Sequence, residues 1–156
     1  MSKAVYAGLL VIAVVVIGYF GYRHSDTPQL PISGDWSTGC VVEGSNSKDF
    51  TMSFNKNTYH SVAKLYDNTS CSGDTISEYR GSAYAQLADN HLKTIDGQTA
   101  VMLTLYWDDK TQPKPLVYQI REDGTLVTGI PQAKTEEQQG GWKLDADTVF
   151  TQVAAQ

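Results

Sequence analysis

The sequence predicts an all-β domain, an antiparallel eight- or nine-stranded barrel or rolled sheet, preceded by one N-terminal transmembrane α-helix. Three observations predict it. Residues 4–22 (AVYAGLLVIAVVVIGYFGY) contain no charged side chain. From Gly34 onward, apolar residues recur with period two in short runs separated by turn clusters. No long stretch of that region carries the 3.6-residue period of a surface helix.

The elements follow in order. At 1.5 Å rise per residue the apolar window spans roughly 28 Å, close to the hydrocarbon thickness of a bilayer. It ends in Gly18-Tyr19-Phe20-Gly21-Tyr22-Arg23, without the A-x-A pattern of a signal cleavage site, and no cysteine follows it to accept a lipid. A retained anchor is expected, with residues 1–3 as a cytoplasmic tail. Flanking charge barely orients it, because Lys3 and the α-amino group are balanced by Arg23 and His24. The cysteines decide. Cys40 and Cys71 lack C-x-x-C spacing and read as one disulfide, which needs an oxidising compartment. The expected location is the inner membrane, single-pass, with the N-terminus in the cytoplasm and the C-terminal domain in the periplasm.

Residues 23–33 hold Pro28 and Pro31 and read as a short stiff linker. Its ten residues from His24 to Ser33 reach at most about 33 Å, which keeps the domain near the bilayer. The β domain, residues 34–153, opens with a strand over Asp35–Glu43. Phe50, Met52 and Phe54 then alternate up to a turn at Asn55-Lys56-Asn57. Strands follow over Thr58–Asp67, Thr75–Leu87 and His91–Ile95, the last leading into the hairpin signal Asp96-Gly97. Thr99–Trp107 is the most periodic segment, with Val101, Leu103, Leu105 and Trp107 on one face. Leu116–Arg121, a turn at Asp123-Gly124, Thr125–Gly129, a polar loop over 131–141 and a last strand over Thr148–Val153 complete the reading.

Gly34-Asp35-Trp36 stands where lipocalins carry a G-x-W signature at the start of their first strand. Cys40 in the same strand, Tyr66 shortly before Cys71, the strand with Tyr79, Gly81 and Tyr84, and a late hairpin around Tyr118–Leu126 extend the likeness. Over most of residues 34–150 the chain resembles bacterial lipocalin-like (calycin-type) barrel domains. The resemblance implies a barrel. It departs from the family in lacking T-D-x-x-Y between the late strands and an arginine in the last strand, where Lys143 is the nearest basic residue. A lipocalin's cargo is therefore not implied.

Charge excludes nucleic acid as a partner. From His24 onward ten Lys and Arg face all seventeen Asp and Glu, a balance of −7 that repels phosphate backbones. Ser61-Val62-Ala63-Lys64 matches S-x-x-K, but a strand points its two ends to opposite faces. His24, His60 and His91 are scattered without metal-ligand spacing, and Asp145-Ala146-Asp147 lacks the glycine and further ligands of a calcium loop. No catalytic residue, metal or cofactor is expected. Aromatic residues remain. Trp36, Tyr66, Tyr106 and Trp107, with the acidic pair Asp108 and Asp109 at a strand end, are the candidate partner or ligand contacts. The expected function is a non-catalytic accessory or inhibitor/immunity-type module that recognises another membrane or periplasmic protein, its bilayer contact being residues 4–22. The alternative is a carrier of a small apolar ligand inside the barrel.

Overall fold

A computed structural model describes residues 29–109, 111–134 and 140–154. The apolar segment 4–22 lies outside them, and no helix among the described residues is long and apolar enough to cross a membrane. Eight strands run in order: β1 (Gly34–Glu43), β2 (Asn46–Asn55), β3 (Thr58–Tyr66), β4 (Thr75–Lys93), β5 (Thr99–Trp107), β6 (Lys114–Ile120), β7 (Leu126–Gln132) and β8 (Gly141–Val153). Each pairs antiparallel with the next, and β8 returns to β1 through Asp35 opposite Val153, Trp36 opposite Gln152 and Ser37 opposite Thr151. The sheet is a closed barrel, compatible with the lipocalin-like resemblance. Closure removes most of the exposed backbone edge that an open sheet of short strands would present.

β7 runs on to Gln132, into the stretch read as a polar loop over 131–141, and the two largest departures from the sequence reading share one cause. Residues 91–95 are no separate strand, because Thr75–Lys93 is one strand of nineteen residues. Its register against β5 shifts between Leu87 and Asp89 and again between Asp89 and Leu92. These bulges break the period-two pattern and imitate a turn. Likewise β8 begins at Gly141, and a shift opposite Val127 to Gly129 leaves Asp145–Thr148 bulged.

Inward-facing residues fill the barrel. Trp36, Phe50, Met52, Phe54, Tyr59, Leu103, Leu105, Tyr118, Leu126 and Phe150 form one cluster drawn from seven of the eight strands, with Ala83 and Ala85 of β4 where space is short. Leu30 and Ile32, inside the stretch read as linker, are buried in this same core. Trp36 Nε1 donates to Ser33 O at 3.2 Å, so residues 30–33 are held against the barrel. A second core lies on the outer face of β5–β8. Ala100, Met102, Val117, Val127 and Val149 have the opposite parity to the interior residues and pack with Trp142, Leu144 and Leu92. The β8 bulge makes this possible by switching the parity of the strand, so that Trp142 and Leu144 share the outer face with Val149. Gly129 sits at the closest approach: a Cβ there would stand 2.8 Å from Val117 Cβ and 3.2 Å from Trp142 Cε3. Ile95 N donates to Trp142 O at 2.9 Å and ties the ribbon to the β4–β5 turn.

The disulfide joins Cys40 to Cys71, with Cα atoms 5.6 Å apart. It draws the loop after β3 back over the outer face of β1–β3. Cys71 N donates to Ser47 Oγ at 3.0 Å, and both Ser47 and its cross-strand neighbour Tyr66 are buried there.

Tyr118 crosses the interior with its hydroxyl buried and without a partner among the described residues. Burial pushes its pKa up, as it does that of Tyr59. Both folded-state values lie above the unfolded ones. The stability they contribute is therefore complete below about pH 10 and is lost as pH rises beyond it. Tyr118→Phe removes an unpaired polar group, and the variant is expected to gain about 1 kcal/mol at neutral pH. It should also unfold at higher pH than the parent. Urea melts at neutral and alkaline pH check both, and a destabilised variant would contradict the account.

Candidate functional site

The six candidate contacts separate into two groups. Trp36, 4% exposed, and Tyr66, 7% exposed, are committed to packing and offer no surface to a partner. Trp36, of the Gly34-Asp35-Trp36 triplet, packs in the barrel interior, and Tyr66 is buried beside Ser47 where the Cys71 loop returns. Tyr106 is exposed on the outer face beside Tyr84, ring centroids 6.4 Å apart. Trp107, Asp108 and Asp109 meet in one cleft of about 500 Å³, completed by Arg80, Gly81, Ser82, Thr111 and Lys114.

The cleft exists because β4 outlasts its neighbours. Its first half pairs with β3 as far as Tyr84 opposite Thr58, and its second half pairs with β5 from Ala83 opposite Trp107. Past that point β5 leaves the sheet. Asp108 N donates to Ser82 O at 3.0 Å as the last rung, and the chain turns away. Asp109 Oδ1 accepts from Thr111 N at 3.0 Å and shapes the turn.

Trp107 faces inward at this exit, with its ring laid over Gly81. A Cβ on Gly81 would stand 2.4 Å from Trp107 Cζ3 and 3.2 Å from Ser61 Oγ, so only glycine admits the indole. Tyr59 meets the same ring edge-on at 5.8 Å and 85°. Trp107 Nε1 is buried and has no acceptor among the described residues. An unpaired buried donor costs about 1–3 kcal/mol, so packing alone holds the indole in place.

Charge surrounds the ring. The carboxyl of Asp109 is held below the usual range, first by the backbone N–H of Thr111, then by its hydroxyl and the Lys114 ammonium. It stays ionised through the neutral range. Arg80 is exposed and pairs with Glu78.

His60 Nδ1 lies 2.8 Å from Ser82 Oγ across β3–β4, and both residues face outward, directly opposite each other. No acid among the described residues bonds to the imidazole's other nitrogen to orient it, as a nucleophile–base pair requires. Ser61 and Lys64 of the S-x-x-K match stand opposite Gly81 and Glu78, on alternate faces of β3. Among the described residues no three His, Cys, Asp or Glu side chains converge on a point that could hold a metal.

Arg80, Ser82 and Lys114 escaped the sequence reading. They join Trp107 only through the β4–β5 register and the β5–β6 turn, and no local motif marks them. Compared with known protein families, curated proteins and solved structures, the chain matches none.

Proposed function

We propose that this chain is a non-catalytic, membrane-anchored periplasmic binding module that recognises another envelope protein through the cleft beside β4. The observation that carries the reading is the Trp107 indole, seated on Gly81 and Tyr59 and ringed by Asp108, Asp109, Arg80 and Lys114. An aromatic anchor amid charged groups on a rigid scaffold is the usual makeup of a protein-contact hot spot. The −7 balance of residues 24–156 favours a cationic partner and speeds encounter. Burial of Leu30 and Ile32 shortens the free tether and supports a partner at the membrane. The carrier alternative has less support, because bulky side chains occupy the barrel interior.

The test is purification of the full chain from membranes in mild detergent. The parent is expected to bring down a stoichiometric envelope protein. Trp107→Ala should weaken that complex by about 2 kcal/mol or more, roughly thirtyfold in Kd. Ile95→Ala, at the distant β4–β5 turn, should leave it unchanged. A folded Trp107→Ala chain that keeps its partner would contradict the assignment.

A further inference from the structure

The first half of β4 is an open sheet edge. Residues 75–82 pair with β3 on one side, and on the other no strand among the described residues covers them. The Asp108 N to Ser82 O bond shows which peptide groups face outward. Between the bulges of β4, from Ser77 to Gln86, even-numbered residues direct their N–H and C=O to the β5 side and odd-numbered ones to β3, in keeping with Ala85 N donating to Asn57 O. The polar backbone groups of Glu78 and Arg80 therefore point off the sheet, and the register shift opposite Leu65 and Tyr66 leaves Ile76 as a bulge at the far end of this edge. Edges of this kind are normally blunted by proline, lysine or a covering segment. This one has no proline, and it displays Tyr79 at 71% and Ile76 at 56% exposure.

We propose that this edge pairs antiparallel with the same edge of a second copy of the chain, about a two-fold axis through Tyr79. The charges select that occupant and that register. With Tyr79 opposite Tyr79, Glu78 of each copy stands opposite Arg80 of the other, and the two rungs exchange backbone hydrogen bonds. Centring the axis on residue 78 sets glutamate against glutamate, and on residue 80 arginine against arginine. Centring it on Ser77 opposes Ile76 to Glu78 and runs into the turn at Gly73-Asp74. Outer-face charges already alternate across the sheet, with Asp49 opposite Lys64 and Lys64 opposite Glu78. Arg80 of the second copy continues the alternation over the seam, where opposite charges directly across a strand pair stabilise it. The pairing ends at Ser82, where the Asp108 turn blocks a further rung, and at the Ile76 bulge on the other side of the axis. This association shares Arg80 with the cleft proposed above but rests on the strand edge and not on that reading.

Both native cysteines are in the disulfide, so an added cysteine reports without background. The probe is the full chain in its membrane, oxidised with copper phenanthroline. Tyr79→Cys is expected to give a covalent homodimer, because facing residues at a non-hydrogen-bonded rung have Cα atoms about 4.5 Å apart, within disulfide reach. Ile95→Cys, exposed elsewhere, should not. Adding Arg80→Glu to Tyr79→Cys should abolish the dimer, and adding Glu78→Arg as well should restore it. Absence of the Tyr79→Cys dimer overturns the proposal, and so does a dimer insensitive to Arg80→Glu. An adduct of Tyr79→Cys with a different protein also overturns it, in favour of a heterologous strand on this edge.

Discussion

Replacing both Cys40 and Cys71 by serine is expected to lower the stability of the domain by about 3–4 kcal/mol. The residues are 31 apart in sequence, and closing a loop of that length in the unfolded chain gives this figure in the chain-entropy model. The folded state loses order as well. The bridge holds the loop after β3 over Tyr66 and Ser47, and Cys71 itself sits at φ +51°, a conformation that non-glycine residues rarely adopt. Without the bridge that strained residue has one fewer constraint, and the Ser47 hydroxyl faces loss of its Cys71 N–H partner. Urea melts of the oxidised parent, the reduced parent and the double serine variant measure the effect. The last two should agree closely. A loss below about 1 kcal/mol would show that the bridge constrains little beyond what the strands already fix.

Phe54→Ala has an effect of similar size and decides between the two functional readings. Phe54 is 2% exposed, with its ring centroid 5.2 Å from that of Tyr59 and 6.5 Å from that of Tyr118. Truncating a phenylalanine packed on all sides costs about 3–5 kcal/mol, because the removed ring loses its transfer energy and the cavity does not collapse. A barrel shaped to hold an apolar ligand would instead tolerate the change, having lost only part of a lining. The filled interior predicts the large loss, together with new binding of small apolar probes to the variant and none to the parent. A small loss would revive the carrier.

Much of the barrel is legible in the sequence because strands announce themselves locally. Phe50, Met52 and Phe54 alternate inward, as do Val101, Leu103, Leu105 and Trp107. Asp96-Gly97 and Asp123-Gly124 lie in turns, their glycines at φ +81°. Cys40 and Cys71 pair as their isolation suggests. What escapes is whatever depends on register or bending. Bulges hid the continuity of β4 and the early start of β8. The outer core of Val117, Val127 and Trp142 uses residues whose parity reads as solvent-facing. Leu30 and Ile32 read as linker because two apolar residues among prolines carry no period, yet they find the core beside Trp36. The site divides the same way. Trp107-Asp108-Asp109 is visible as an aromatic and an acidic pair ending a strand, whereas Arg80, Gly81 and Lys114 come to it only through folding.

The most direct test of the central claim, that a partner docks at the Trp107 cleft, is site-specific photo-crosslinking of the full chain in intact cells. A photoreactive residue replacing Asp108 at the cleft rim is predicted to capture one heterologous envelope protein. The same residue replacing Ile95, exposed at the distant β4–β5 turn, is predicted to capture none. Capture from Ile95 and not from Asp108, or capture from neither, would contradict the account.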